Sequence, residues 1–510
     1  MSAKSSLSMS RRGLLVAVLG MVLGTPLGAQ EFWREGRNIG GLAFCEDAGA
    51  EALLGGQYTS GGLRTLSQAP ELWGALVQAQ AESHYKDLVL TGNFSFQLQS
   101  GKQMMGSMFT QPGYYPVDVL EFTPGQKTRQ TYGIGGGLAW TGSSRWIPGA
   151  TLRFQGVNYS KRKDLRHTTY RQELEVVPSL LYAGDKWHFG ISGIFEKTSE
   201  FIQAEQLGAA TAESYYAFLD LGMRFGNYQV WDGSGIHLSE AGVDRFAVKE
   251  YTYGASLQAS YGDAFYADAT YTRSQGQVGE KGYTWYRFPG QALEGKLLAS
   301  LEGAGGTHTF GAAAQWRQQR NRESVIERVT AGGVTTPSEY GSNLIFERRS
   351  LGGGPSYSYE SQKGWSLGIE AELEKEMNRS TLMYPYVASE QLTTFHLEME
   401  GAVELGAFEI EAGLGLKGTL GEHLESMENV DPLVQVSAPP FQLEEWHELE
   451  HELEEALCLR GALALRYNFT LARRAACYVE ASCRWDHAFK VELLPGANRQ
   501  ITQLCFGYKF

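Results

Sequence analysis

The chain of 510 residues lacks long apolar runs after its first 29 residues. An α-helical membrane protein would contain runs of about 18 or more apolar residues, so this absence excludes a bundle of membrane-spanning helices. Basic residues are also scarce: 44 Lys and Arg stand against 57 Asp and Glu, for a formal net charge of −13. Because phosphate groups require a basic surface, this balance excludes nucleic acid as a partner.

Cysteine and proline are likewise rare. The five cysteines follow no disulfide-framework spacing, so we expect mostly free thiols. Proline occurs 15 times, whereas glycine occurs 62 times and aromatic residues make up 12% of the chain. No shift in composition divides the chain into soluble domains, although its length exceeds one ordinary soluble core. The mean hydropathy of −0.28 is that of a soluble protein, but a membrane barrel hides its apolar surface in alternate residues and gives the same average.

The N-terminus has the pattern of a secretory signal peptide. Arg11 and Arg12 precede a short apolar run, and a small-residue cleavage site ends at Ala29. We therefore expect a signal peptide over 1–29, a short periplasmic segment over 30–47 and a transmembrane barrel over 48–510. The segment over 30–47 is too short for a separate plug domain.

Period-two alternation dominates the rest of the chain. Between Leu88 and Leu98, for example, leucine and phenylalanine fill every even position except Gly92, and polar residues fill the odd positions from Thr91 onward. Such segments run for 10 to 14 residues, longer than the ~5–6 residues of a globular strand. Aromatic residues at the segment ends, and connections that alternate between short and long, favour a membrane barrel over a soluble sandwich.

The segments predict an all-β fold, a single transmembrane antiparallel β-barrel of about 18 strands within a range of 14 to 18. Both termini then lie on the side of short periplasmic turns, opposite long extracellular loops near 101–127, 201–244, 321–345 and 422–455. Residues 213–225 are assigned to a loop. The predicted strands cover 50–62, 72–84, 88–100, 128–141, 149–161, 172–183, 186–199, 246–261, 264–275, 291–304, 307–320, 346–361, 364–377, 391–405, 407–420, 456–472, 475–490 and 499–510. Apolar positions shift from even to odd at Gly156 and Val157, which predicts a bulge there.

The last strand carries the most specific signal. One face presents Leu504, Phe506, Tyr508 and the terminal Phe510. A terminal aromatic residue on an alternating last strand resembles the signal that the barrel assembly machinery recognises. That resemblance implies outer-membrane lipid and this machinery as partners, and the bacterial outer membrane as the location.

The whole mature chain resembles large outer-membrane barrels of the Bacteroidota. The opening Asn38-Ile39-Gly40-Gly41-Leu42-Ala43-Phe44 and the glycine-rich first strand resemble an uncharacterised, porin-like barrel family of that group. The resemblance implies the fold and the location. It implies no catalytic residues.

The polar faces of three consecutive strands concentrate acidic residues. The carboxylates assigned to the lumen are Glu370, Glu372, Glu374, Glu398, Glu400, Glu404, Glu409 and Glu411. The next two strands contribute the basic residues Arg460, Arg466 and Arg484 to the same face. One interpretation is a cation-preferring lumen, and the other is a salt-bridged, solvated wall or the seat of a plug.

The segment 441–457 has the spacing of a short acidic amphipathic helix. It could narrow the barrel mouth, but we favour a solvated loop helix. It contains His447-Glu448-Leu449-Glu450-His451, which matches the HExxH motif of zinc proteases. Because Glu450 is unusual in that motif and no downstream third ligand is evident, we expect no catalytic zinc site and no cofactor. Adventitious or structural metal binding by His447 and His451 remains the alternative.

Two functions follow from these patterns. The first is a passive or gated channel for small polar solutes, because about 16–18 strands leave room for an aqueous passage. The second is a structural or partner-binding subunit of a larger outer-membrane complex, which would dock through loops 101–127, 201–244 and 422–455. The apolar cluster of Met104, Met105, Met108, Tyr114 and Tyr115 would contact a partner or form a loop core. A barrel enzyme is the least favoured function, because no recognisable motif pairs the histidines on strands, and we predict no enzymatic activity.

Overall fold

The structure is a computed structural model. It describes residues 32–34, 36–45, 49–143, 145–205, 216–223, 225–230, 245–280, 283–331, 334–380, 387–426, 443–471 and 475–509. The predicted signal peptide and Phe510 lie outside these residues. None of the described helices is long and apolar enough to cross a lipid bilayer.

Period-two alternation gives twenty strands within the described residues. The strands are β1 (Gly49–Gly61), β2 (Glu71–Tyr85), β3 (Leu88–Ser107), β4 (Asp118–Trp140), β5 (Trp146–Lys161), β6 (Arg166–Ala183), β7 (Trp187–Glu205), β8 (Tyr216–Asp220), β9 (Gly226–Val230), β10 (Arg245–Tyr261), β11 (Phe265–Glu280), β12 (Tyr283–Gly303), β13 (Gly306–Ala331), β14 (Val334–Ser361), β15 (Trp365–Ser380), β16 (Val387–Leu405), β17 (Phe408–Ser426), β18 (Cys458–Leu471), β19 (Ala475–Ala488) and β20 (Asn498–Lys509). A 3-10 helix (Ile39–Phe44) precedes β1, and helix α1 (Leu443–Glu455) lies between β17 and β18.

Eighteen of these strands close into an antiparallel barrel. Each barrel strand pairs with its neighbours in sequence, and β20 pairs with β1. Strand β7 pairs directly with β10, so the hairpin of β8 and β9 lies outside the barrel ladder. Closure pairs the edges that an open sheet would leave unsatisfied in lipid. The predicted fold class and the predicted number of eighteen strands are confirmed.

The outward face is apolar along the middle of the strands. Leu54, Leu152 and Leu293 are examples, each more than half exposed. Exposed aromatic residues lie near both ends of the strands, as in the two interfacial girdles of a membrane barrel. On the side of the short turns these include Tyr85, Trp140, Trp146, Trp187, Trp365, Phe408 and Tyr467, and toward the opposite ends Tyr58, Trp73, Tyr132, Tyr170 and Tyr253. We name the two ends of the barrel the turn side and the loop side.

The strands extend further on the loop side than the sequence predicts. Strands β13 and β14 pair from Gly306 and Ser361 to Ala331 and Val334, so the predicted long loop over 321–345 is mostly a hairpin. Strand β3 continues to Ser107 and β4 begins at Asp118, which shortens the predicted loop over 101–127. The prediction was wrong there because β13 and β14 continue to pair beyond the segments that show period-two alternation.

No bulge occurs at Gly156 and Val157. Strand β5 keeps a continuous register with both β4 and β6. The apolar residues change faces instead: Leu152 and Phe154 point outward, whereas Val157 and Tyr159 are buried on the inward face. The predicted bulge was wrong because the loop-side end of the lumen is filled by apolar side chains, so apolar residues are required on the inward face there.

Candidate functional site

The acidic residues predicted to face the lumen share the inward face of β15, β16 and β17. Their neighbours Ile369, Leu373 and Met399 are exposed on the outward face. Register brings several carboxylates directly opposite one another, with Glu370 beside Glu398 and Glu404 beside Glu409. We name the eight residues Glu370, Glu372, Glu374, Glu398, Glu400, Glu404, Glu409 and Glu411 the acidic wall.

Three arginines on β18 and β19 lie next to this wall. Arg460 contacts Glu398 at 2.7 Å and Asp486 at 2.9 Å. Arg466 contacts Glu409 at 3.2 Å and Glu480 at 2.5 Å.

Arg484 contacts Asp486 at 3.2 Å. These ion pairs neutralise one flank of the acidic wall. The arginines also form ion pairs with Glu480 and Asp486, which lie outside the wall.

Three other carboxylates of the wall form no ion pair with a described residue. Among the described residues, no basic nitrogen lies within ion-pair distance of Glu370, Glu400 or Glu411. Glu372 accepts a hydrogen bond from Gln315 at 3.3 Å, and this neutral donor leaves its charge in place. Clustered carboxylates of this kind remain ionised only where water or mobile cations screen them. The arrangement therefore fits a water-filled, cation-attracting surface.

The turn-side end of the lumen is occupied by residues 32–34 and 36–45, which we name the N-terminal segment. Trp33, Ile39 and Leu42 are buried against inward residues of the barrel, among them Ile147 and Leu181. The structure therefore differs from the predicted short periplasmic segment, because these residues pack inside the barrel. The sequence signal for this placement was the three large apolar side chains in a stretch without strand periodicity.

Specific hydrogen bonds fix the N-terminal segment to the wall. Asn38 accepts from the backbone N–H of Gly40 at 3.0 Å, which caps the 3-10 helix. Its side-chain amide donates to the carbonyl of Leu180 on β6 at 3.1 Å. Trp33 donates to Ser260 on β10 at 3.0 Å. Because these partners lie on separate strands, the segment lies across several strands of the inner wall.

Charged residues add to this attachment. Arg37 contacts Glu175 on β6 at 3.0 Å, and Arg153 approaches the other oxygen of the same carboxylate at 3.4 Å. Arg34 contacts Glu82 on β2 at 3.7 Å. The described contacts of the N-terminal segment thus involve strands other than β15, β16 and β17, which carry the acidic wall.

An apolar cluster fills the loop-side end of the lumen. It joins the connection between β3 and β4 to the β8–β9 hairpin and to inward residues of the barrel. Its members include Met108, Phe109, Tyr115, Leu165, Ile202, Leu219, Phe246, Val278, Phe288 and Ile345. We name this set the loop-side cluster. The predicted apolar residues Met105, Met108 and Tyr115 are buried, so this connection forms a loop core rather than an exposed patch.

Buried polar contacts hold the loop-side cluster in place. The register of β3 against β4 shifts between Gly101 and Gly106, and pairing resumes at Gly106 and Ser107. Glu121 on β4 is fully buried and pairs with Lys127 at 2.9 Å and also with Lys161. Removing one partner from such a buried pair typically costs about 3–5 kcal/mol, so this part of the loop side is firmly fixed.

Helix α1 docks onto the same end of the barrel. Trp446 is 3% exposed and packs with Met105, Leu120, Phe122 and Phe218. The predicted helix over 441–457 is confirmed. The favoured interpretation as a solvated helix was wrong, because the tryptophan and the leucines on this face have an apolar surface to bury against.

Glu452 fastens the other end of α1. Its carboxylate accepts from the backbone N–H groups of Leu493 at 2.9 Å and Leu494 at 2.7 Å, and from that of Glu492. Burial by itself raises the pKa of this carboxyl. The three backbone donors outweigh that effect, so the pKa lies below its ordinary value of 4.5.

The last strand lies at the seam of the barrel. Leu504 and Phe506 are exposed on the outward face, and Tyr508 shares their alternation. On the inward face, the Tyr478 hydroxyl of β19 donates to Glu51 of β1 at 2.9 Å, across β20. The structure thus accounts for the outward apolar pattern as a lipid-facing surface.

The two predicted candidate metal ligands lie on α1. His447 and His451 stack at a ring-centroid distance of 5.8 Å. The structure adds His423 of β17, whose ring lies 5.1 Å from that of His447. Sequence spacing alone could not reveal this third histidine, because it lies 24 residues before His447 in the sequence.

The closed strand order, the apolar outer belt and the polar inner wall define a large barrel of the outer-membrane type. The chain belongs to a family of unknown function, DUF6850, whose model matches residues 50–510. No curated protein matches the chain significantly.

Several solved barrels share the architecture at low sequence identity. The ferric preacinetobactin receptor BauA of Acinetobacter baumannii is 7% identical, with a TM-score of 0.39 over 91% of this chain and 80% of that one. FpvA of Pseudomonas aeruginosa, solved with a heterologous pyoverdine and iron, is 10% identical, with a TM-score of 0.42 over 91% and 72%. OccK9 of Pseudomonas aeruginosa is 12% identical, with a TM-score of 0.30 over 91% and 98%.

Proposed function

We propose that this chain is a gated outer-membrane channel for small polar solutes, with a preference for cations. The observation that carries the proposal is the acidic wall, because Glu370, Glu400 and Glu411 face inward without a basic partner among the described residues. Rings or walls of carboxylates select cations in membrane channels by attracting the counter-charge. A wall that served only to stabilise the barrel would pair these charges.

The N-terminal segment and the loop-side cluster form the gate in this proposal. The N-terminal segment and the loop-side cluster occupy the two ends of the lumen, so passage requires a path past both of them. We assign the gating movement to the N-terminal segment, a short stretch held by the apolar packing of Trp33, Ile39 and Leu42 and by a few polar contacts. Neither the described contacts of this segment nor the described members of the loop-side cluster involve β15, β16 or β17, so in this proposal the path runs along the acidic wall.

The remaining parts of the proposal concern biogenesis. We propose a signal peptide over 1–29, location in the bacterial outer membrane, recognition of the last strand by the barrel assembly machinery, and a Bacteroidota source. The outward alternation of Leu504 and Phe506 supports the assembly signal. The outer apolar belt supports contact with lipid.

Uptake into proteoliposomes tests the channel. Purified, folded protein is reconstituted, and swelling rates are compared for cationic, zwitterionic and anionic solutes of similar size. We expect faster uptake of the cation, and loss of that preference in a Glu370→Gln, Glu400→Gln, Glu411→Gln triple variant. Glu71→Gln is the matched control, because Glu71 is exposed at the loop-side end of β2 and pairs only loosely with Lys102, at 3.5 Å.

A structural or partner-binding barrel is the second candidate. The filled loop side favours it, because the loop-side cluster and α1 form a firm surface over the barrel end. Folded protein that passes none of the three solutes, even without its N-terminal segment, would contradict the channel and support this second function. Equal uptake of all three solutes would contradict the cation preference alone.

A further inference from the structure

A cluster of imidazoles on the loop side has the composition of a metal site. We infer that His423, His447, His451 and Glu390 bind one divalent transition-metal ion of the zinc, nickel or copper class. This inference is independent of the proposed function, because it concerns how α1 is attached rather than what passes through the barrel.

Three rings from two elements converge at this place. His447 and His451 are four residues apart on α1 and therefore share one helix face. The ring of His423 on β17 lies 5.1 Å from that of His447 and 5.6 Å from that of His451. Helix spacing explains the first pair, but the third ring depends on the way α1 docks against β17.

The ring nitrogens of His423 make this cluster unlike ordinary aromatic packing. Both nitrogens are buried and lack a hydrogen-bond partner among the described residues. A buried polar atom without a partner costs about 1–3 kcal/mol, so such an atom generally has a ligand or water to satisfy it. A metal ion shared with the neighbouring histidines would satisfy one of these nitrogens.

A carboxylate completes the donor set. Glu390 on β16 is the direct register partner of His423, so the two side chains lie next to each other at the end of the β16–β17 hairpin. One oxygen of Glu390 lies 3.8 Å from Nδ1 of His451. Ligand atoms of Glu390, His451 and Glu454 all lie within 4.8 Å of one another.

Neighbouring residues orient these ligands. Asn378 donates to the other oxygen of Glu390 at 3.1 Å. Glu455 lies 3.1 Å from Nε2 of His451, which leaves Nδ1 of that ring directed toward Glu390. A carboxylate behind a ligating histidine is the usual outer contact that fixes its ring and raises its basicity.

The donor set decides the class of metal. Imidazole with one carboxylate suits zinc, nickel and copper, whereas calcium and magnesium require sets of oxygen ligands. Tetrahedral zinc takes nitrogen and oxygen ligands at about 2.0–2.2 Å, so the four side chains must close in around the ion when it binds. The ligands come from β16, β17 and α1, so the bound ion would link the helix to the barrel.

Metal titration tests the site. The folded, full chain is titrated with zinc chloride in competition with a chromogenic chelator, and nickel and calcium chlorides are compared. We expect one zinc per chain, with at least roughly tenfold weaker affinity in His423→Ala and in His451→Ala. The control is His84→Ala, since His84 is exposed at the turn side of β2.

Hydrogen exchange of α1 gives a second readout. Bound zinc should slow exchange in Leu443–Glu455 of the wild-type chain and leave exchange unchanged in His423→Ala. If an alanine variant fails to fold, Glu390→Gln replaces it, because glutamine has nearly the same shape and can still accept from Asn378. Absence of zinc binding, calcium bound as tightly as zinc, or unchanged affinity in the histidine variants would each overturn the inference.

Discussion

Arg37 of the N-terminal segment donates a hydrogen bond from Nη1 to Glu175 of β6, at 3.0 Å. The Glu175 side chain is 4% exposed and also accepts from Arg153, at 3.4 Å. Removal of Arg37 would therefore leave this carboxylate with one cation, so the variant tests attachment of the segment without leaving a bare buried charge.

Arg37→Ala should release the N-terminal segment more often. A charge-assisted hydrogen bond contributes about 1.5–3 kcal/mol, which corresponds to roughly a tenfold or larger shift in the docked population. The thiol of Cys45, 5% exposed within the same apolar cluster, reports release by its rate of maleimide labelling in a chain whose other cysteines are serine. Faster labelling and more frequent channel openings are the expected results.

Arg145→Ala is the matched control for this variant. Arg145 also lies on the turn side, where it donates to the Tyr182 hydroxyl at 3.3 Å and is exposed. Its loss should change neither the labelling rate nor the openings. Equal labelling of Cys45 in wild type and Arg37→Ala would contradict the role of this ion pair.

Gly507→Ala should destabilise the barrel at its closing seam. A Cβ atom at this position would lie 2.0 Å from Cε1 of the Tyr478 ring, so the ring must move. Overpacking of this kind costs about 1–3 kcal/mol. The tyrosine would also lose its position for the hydrogen bond to Glu51. Urea unfolding of reconstituted protein measures the effect.

The seam prediction has a control and a rescue. At Gly461 on β18 no atom lies within 4 Å of an added Cβ, so Gly461→Ala should leave the unfolding midpoint nearly unchanged. Adding Tyr478→Ala to Gly507→Ala removes the overlap, so the double variant should lose less stability than the sum of the two single variants. Additive losses would show that the ring and the glycine do not interact.

Glu452→Gln should loosen α1. The carboxylate holds the backbone N–H groups of Leu493 and Leu494, and glutamine accepts such bonds less strongly. The folded-state pKa of Glu452 is depressed below 4.5, so its contribution is present above that pH. It is lost as the pH falls through the lower, folded-state pKa.

Hydrogen exchange across α1 measures this effect. Protection of α1, corrected for the intrinsic pH dependence of amide exchange, should be lower in Glu452→Gln at neutral pH and should fall in the wild-type chain only in acid. Glu448→Gln is the control, because Glu448 is exposed on the same helix. Equal exchange in the two variants would show that Glu452 does not hold the helix in place.

Period-two alternation was sufficient to predict the barrel and its strand number. Every lipid-facing strand must alternate, and segments such as Leu88–Leu98 do so at most positions. The inward position of residues such as Glu370 and Arg466 follows from the same alternation once the register is known. The prediction was weakest where a residue's environment depends on a segment distant in sequence.

The contents of the lumen could not be predicted for that reason. Trp33 is buried because Ser260 and Tyr266, more than two hundred residues later, lie beside it. Val157 and Tyr159 interrupt the expected pattern because both are buried on the inward face, where Tyr159 packs against Lys127 of β4 and His167 of β6. The large apolar side chains of the N-terminal segment, in a stretch without strand periodicity, were the available signal, but they did not identify the partner.

The reversal potential in a planar bilayer under a potassium chloride gradient tests the cation-preferring channel most directly. We predict that protein lacking residues 32–45 conducts. Its reversal potential should be shifted toward the equilibrium potential of potassium. We also predict that this potential moves toward zero in the Glu370→Gln, Glu400→Gln, Glu411→Gln background. A conducting barrel whose reversal potential is the same with and without these three carboxylates would contradict the acidic wall as the lining of the pathway.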